Sequence, residues 1–149
     1  MSAIGELLAQ QPAGELTGVS CLAAGTDTIF AEAVLARGGR LEVVLPAADY
    51  RARKVRPEHA AAFDRLVERA AAVRTMPYAA SGAAAYEAAN EAMLGSCDRL
   101  VAVWDGRAAA DRGGTGAVVA RARSRGLPVT VIWPVGARRG RGDQESIVD

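Results

Sequence analysis

Histidine and lysine are almost missing from this chain. His59 is the single histidine, Lys54 the single lysine, and the two cysteines, Cys21 and Cys97, are far apart in sequence. A Ser/His/Asp or Cys/His catalytic triad would therefore rest on His59, which falls in the first turn of a candidate helix, a poor place for it. No cluster of histidines and cysteines offers metal-ligand spacing, so no metal is expected. Two thiols without a partner pattern fit free cysteines in the cytoplasm, and Cys97, beside Asp98 at the amino end of a candidate strand, reads as structural. No apolar run reaches the ~18–20 residues of a membrane span. Residues 1–6 lack the basic start and long apolar stretch of an export leader. A basic excess is missing too: 18 basic residues stand against 17 acidic ones, for a net charge of +1. Neither nucleic acid nor membrane is expected as a partner.

What is present is apolar and alternates in type. Half of the 149 residues are hydrophobic, enough for one domain with a real core. Runs rich in Val, Leu and Ile at 16–20, 41–46, 73–76, 100–104 and 129–133 mostly lack strict polar alternation, as strands covered on both faces do. Between them, helical periodicity predicts helices near 3–10, 27–37, 58–71, 82–95 and 114–125. Gly38 and Gly39 end the second, Pro57 opens the third, and Gly126 with Pro128 separates the fifth from the last strand. This alternation predicts an α/β fold, Rossmann-like and three-layered, with a mainly parallel sheet of about five strands. Residues 1–137 form the domain, and the polar, Gly-rich stretch 138–149 is expected to be a flexible tail.

Ligands of open α/β sheets bind at the carboxyl ends of strands, so the residues after each strand are the candidate site. After the first strand come Cys21, Gly25, Thr26 and Asp27. Gly25 permits close backbone approach, and Thr26 or Asp27 can cap the next helix; Asp27 could also accept a ribose hydroxyl. After the fourth strand, Trp104, Asp105 and Gly106 offer a flat wall and a carboxylate, or simply a turn. Asp111, Arg112, Gly113, Gly114, Thr115 and Gly116 then lead into a helix. Backbone N–H groups and the helix dipole make this the strongest anion site in the chain, although no lysine follows as in a Walker loop. After the second strand, Asp49, Tyr50, Arg51, Arg53, Lys54 and Arg56 read as a basic loop, either solvated or folded over a ligand as a lid. Tyr86 and Asn90 share a helix face that packing against the sheet explains best.

The order Gly25 and Asp27, then Asp105 and Gly106, then Gly113, Gly114 and Thr115 resembles the SLOG superfamily, which includes the Lonely Guy phosphoribohydrolases and the fold of DNA-processing protein A. The stretch from Ser96 to Gly106 is similar to nucleoside 2-deoxyribosyltransferases as well, and the resemblance spans about residues 17–135. It implies a Rossmann-like sheet with phosphate at Gly113, Gly114, Thr115 and Gly116 and the sugar or base near Asp105. It also implies a glutamate in the first turn after the Gly-Gly-Thr loop, where this chain has Ala117, Val118 and Val119. Relatives begin with a strand before their first helix. Here the helix comes first, which predicts a gap in the sheet to be filled by an earlier start, a partner chain or a rearrangement.

The favoured reading is a binding module, a sensor or carrier for a nucleotide or nucleoside-derived phosphorylated ligand, with no separate cofactor. Gly25, Asp27, Tyr50, Arg51, Asp105, Gly106, Arg112, Gly113, Gly114, Thr115 and Gly116 are its candidate contacts. The alternative is an N-glycoside hydrolase or transferase using Asp105 or Asp111 as a substitute carboxylate. A third reading is a homo-oligomeric assembly protein with a vestigial pocket; a homo-oligomer, such as a homodimer, is expected in any case.

Overall fold

The computed structural model describes residues 3–103, 115–132 and 147–148. β1 (Thr17–Ser20), β2 (Arg40–Leu45) and β3 (Ala72–Thr75) form a parallel sheet in the order β1-β2-β3. β4 (Leu100–Val103) pairs parallel with β5 (Val129–Ile132), and β6 (Ile147–Val148) joins the other side of β4 antiparallel. β6 also lies close to β1. The spatial order is therefore β3-β2-β1-β6-β4-β5, with every strand except β6 entering from the same end of its sheet. The six helices are α1 (Ala3–Leu8), α2 (Thr26–Ala36), α3 (Tyr50–Lys54), α4 (Pro57–Arg69), α5 (Ala83–Ser96) and α6 (Thr115–Ser124).

Side chains alternate across each strand, and this sorts the helices into two layers. Leu41 and Val43 of β2 pack with Ala31 of α2, Phe63 and Leu66 of α4, and Tyr50. Val101 of β4 packs on the same side with Ile4 and Leu8 of α1 and Phe30 and Val34 of α2. Val19 and Val44 face the other way, against Ala89 and Met93 of α5. Leu100 and Ala102 meet Leu94 of α5 and Val118, Val119 and Ala122 of α6. The result is the expected α/β sandwich: α1, α2 and α4, then the strands, then α5 and α6. Glu91 ties the outer layer together by pairing with Arg121 at 2.7 Å and with Arg125.

Gly18 sets how closely α2 approaches β1. A Cβ there would stand 2.6 Å from a methyl of Val34 and 2.9 Å from the Phe30 ring, both in a fully packed face. Helix ends follow the sequence signals: Gly38 at φ 77° and Gly126 at φ 75° turn the chain out of α2 and α6.

Three expectations need correction. The basic stretch after β2 is not a loop: 50–54 is helical, because Tyr50 buries its ring in the core and anchors the turn. Neither Thr26 nor Asp27 caps α2; the cap position is Gly25, without a side-chain bond. Within the stretch expected to be a flexible tail, residues 147–148 are a strand, and they answer the gap at the sheet's centre by rearrangement.

Replacing Gly18 by alanine should lower the melting temperature by about 3–10 °C, the cost of overpacking a rigid contact. Gly14→Ala, which meets nothing within 4 Å, should move it by less than about 2 °C; circular-dichroism melts of both variants measure the difference.

Candidate functional site

Strand order reverses between β1 and β4. At such a switch point the crossovers leave in opposite directions, and the carboxyl ends of the two strands frame a crevice.

On the β1 side the chain is tied into a tight knot. Leu22 sits at φ 57°, a left-handed conformation a branched residue adopts only under restraint. Its N–H donates to Ser20 Oγ at 3.0 Å, and its carbonyl oxygen lies 3.2 Å from His59 Nε2. With the proton on Nε2, His59 donates and holds that carbonyl in place. Gly25 follows at φ 88°. Asp27, wholly buried, turns back toward the loop: its Oδ2 accepts the Ala23 N–H at 3.0 Å and the Cys21 thiol at 3.4 Å. Thr28 Oγ1 donates to the Ala23 carbonyl at 3.4 Å. Burial pushes the Cys21 thiol well above its ordinary range, and the neighbouring Asp27 charge acts in the same direction. Burial also pushes the Tyr50 phenol up, again with Cys21 and Asp27 contributing.

On the β4 side, Trp104, Asp105, Gly106, Asp111, Arg112, Gly113 and Gly114 lie outside the described residues. Thr115 is the first residue of α6 and is wholly buried. Its Oγ1 has no hydrogen-bond partner among the described residues. A buried hydroxyl left unpaired costs about 1–3 kcal/mol, so the position calls for an acceptor or donor from elsewhere. Gly116 is half-buried beside it. Val118 and Val119 are core residues of α6, and Ala117 faces outward.

The structure redistributes the other candidates. Gly25 and Asp27 stand beyond the carboxyl end of β1, but Asp27 is wholly buried, turns into the loop and offers no exposed edge for a sugar hydroxyl. Tyr50 is a core residue, 6.2 Å from Phe63 and 6.4 Å from Tyr86 between ring centroids. Arg51 makes a two-pronged bond with Asp64 at 2.6 and 2.8 Å on the exposed face between α3 and α4. That guanidinium holds the Asp64 carboxyl below its usual range. Asp49 accepts both the N–H and the hydroxyl of Ser81 at 2.7 Å, bonds that lower its pKa as well. A segment fastened in this way to α4 and to the start of α5 is not a lid, so that reading is withdrawn.

Sequence reasoning missed Ser20, Leu22 and His59. His59 carried one signal, as the only histidine and near a helix start. The left-handed Leu22 carried none, since leucine is a poor indicator of that conformation.

Among the described residues no helix is long and apolar enough to cross a membrane, and no group of side chains could hold a metal ion.

The raised Cys21 and Tyr50 pKa values fix the sign of one pH effect. Both groups stay protonated in the folded state at pH values where the unfolded chain has lost those protons, so stability falls as pH rises past about 9. Urea unfolding at pH 8 and pH 10 should show this loss, and Cys21→Ala should reduce the difference between the two pH values. Compared with known proteins, the chain matches no family model and no curated protein sequence.

Proposed function

We propose that the protein binds a phosphorylated nucleoside-type ligand in the crevice between the carboxyl ends of β1 and β4, as a sensor or carrier. The observation that carries this reading is the Thr115 hydroxyl, buried without a partner among the described residues in the first turn of a ten-residue helix. A helix N-terminus presents free N–H groups and a partial positive charge, and a hydroxyl beside them completes a donor set for a phosphate. The strained, tightly bonded loop from Ser20 to Asp27 supports the same reading, because restraint of this kind accumulates where backbone must be held ready for a ligand. In this reading Asp27 organises the loop instead of touching the ligand, while Thr115 and Gly116 contact the phosphate. The likeness to the SLOG superfamily suggests a nucleotide as the source of that phosphate. The α6 positions where those enzymes carry their glutamate are filled by Val118 and Val119 in the core and by outward-facing Ala117, which favours binding over turnover.

Adenosine monophosphate should raise the melting temperature of the full chain, by the equivalent of about 2.7 kcal/mol at a hundredfold excess over Kd. Thr115→Val should weaken that ligand about tenfold. It should also leave the free protein as stable or more so, because it removes an unsatisfied polar atom. A variant that loses stability and keeps its ligand would contradict the assignment. Release of free adenine by the wild type, abolished in Asp105→Asn, would establish an enzyme instead.

A further inference from the structure

The seam between β1 and β4 is longer than the strand that enters it. β1 pairs with β2 on one side only, yet Gly18, Val19 and Ser20 are buried, as in an interior strand. β4 pairs with β5 along four residues but with β6 only at Val101 and Ala102. β6 thus comes in from the carboxyl end, and its pairing stops partway down. Toward the amino ends of the strands the seam holds a cavity of about 540 Å³, walled by Leu8, Leu16, Val19 and Val101. Its rim carries Glu15, Glu42 and Asp98 against Arg99. Glu42 lies 3.7 Å from Arg40, while Glu15 and Asp98 are exposed with no ion pair among the described residues. The mouth is therefore acidic and the walls apolar.

The seam is one strand wide, since β6 occupies part of it beside β4 and close to β1. Among the described residues, a two-residue strand leaves backbone donors and acceptors of β1 without a ladder partner, the condition under which sheets add a strand. The chain's own last residues are a poor match for the rim. Gln144, Glu145, Ser146, Ile147, Val148 and Asp149 bring two further acids and no base.

We propose that the seam is a docking slot for an extended segment of a partner polypeptide, apolar at alternate positions and basic where it leaves between Glu15 and Asp98. The segment pairs with β1 and β4 by main-chain hydrogen bonds and displaces β6, which acts as a placeholder. Four residues of strand, at about 3.3 Å each, cover the length of β1. The slot is separate from the phosphate site, and its test does not depend on a nucleotide.

The probe is a labelled seven-residue peptide alternating valine and threonine between two terminal lysines. Fluorescence anisotropy should show binding to the full chain, and hydrogen exchange should show new protection of the Val19 amide. Affinity should rise about tenfold when residues 147–149 are removed. It should fall about tenfold in the Glu15→Lys, Asp98→Lys double variant of the full chain, and for a peptide with glutamates in place of the lysines. Equal binding of a peptide with a central proline, or no binding to either the full or the shortened chain, would overturn the proposal. So would self-association of the shortened chain that blocks the peptide, since the slot would then belong to a second copy.

Discussion

The reversal of strand order between β1 and β4 governs the rest of this molecule. Parallel strands need cover on both faces, and each crossover must carry its helix over the sheet with the same hand. From β1 the chain builds outward through β2 to β3, then returns across the molecule with α5 to begin again at β4. Helices on the two sides of that restart lie on opposite faces, the arrangement in which open α/β sheets bind ligands at the carboxyl ends of their strands. The same reversal leaves the seam in which β6 is lodged.

The two sides of the crevice are built by different means. After β1, order comes from side chains reaching backbone: Ser20, Asp27, Thr28 and His59 each bond a main-chain group of the loop or of a residue beside it. A carboxylate with no solvent exposure is costly, and Asp27 offsets part of that cost where its Oδ2 accepts the Ala23 N–H and the Cys21 thiol. The knot holds Leu22 where an unrestrained leucine would not stay. After β4, order comes from the helix itself, whose first turn presents donors and one buried, unpaired hydroxyl at Thr115.

The architecture was legible in the sequence because it depends on coarse signals. Val- and Leu-rich runs without alternation mark β1, β2, β4 and β5 as strands, although β5 is only half-covered, and Gly38, Pro57 and Gly126 mark helix ends. β3 was found at its place although its residues are exposed, since a β-branched pair between turns is still a strand signal at a sheet edge. What escaped depended on contacts distant in sequence. Tyr50 looked like a ligand residue in a basic loop; burial against Phe63 and Tyr86 makes it a core residue and turns 50–54 into helix. In sequence Arg51 is available for phosphate; in the fold Asp64, about two turns into the next helix, claims it. Ile147 and Val148 are too few to register as a strand, and only the unfilled side of β4 gives them one. Asp27 stands out in the sequence by its place after a strand, but its direction, inward to Ala23 and Cys21, is set by φ angles at Leu22 and Gly25 that composition does not encode.

The central claim is that an anion sits on the amino end of α6 within reach of Thr115. A crystal structure of the full chain grown with adenosine monophosphate tests it most directly. A phosphate oxygen should lie within about 3 Å of Thr115 Oγ1, with the loop from Ser20 to Asp27 unchanged. A nucleotide bound elsewhere, or a Thr115 hydroxyl already bonded to one of the protein's own groups, would contradict it.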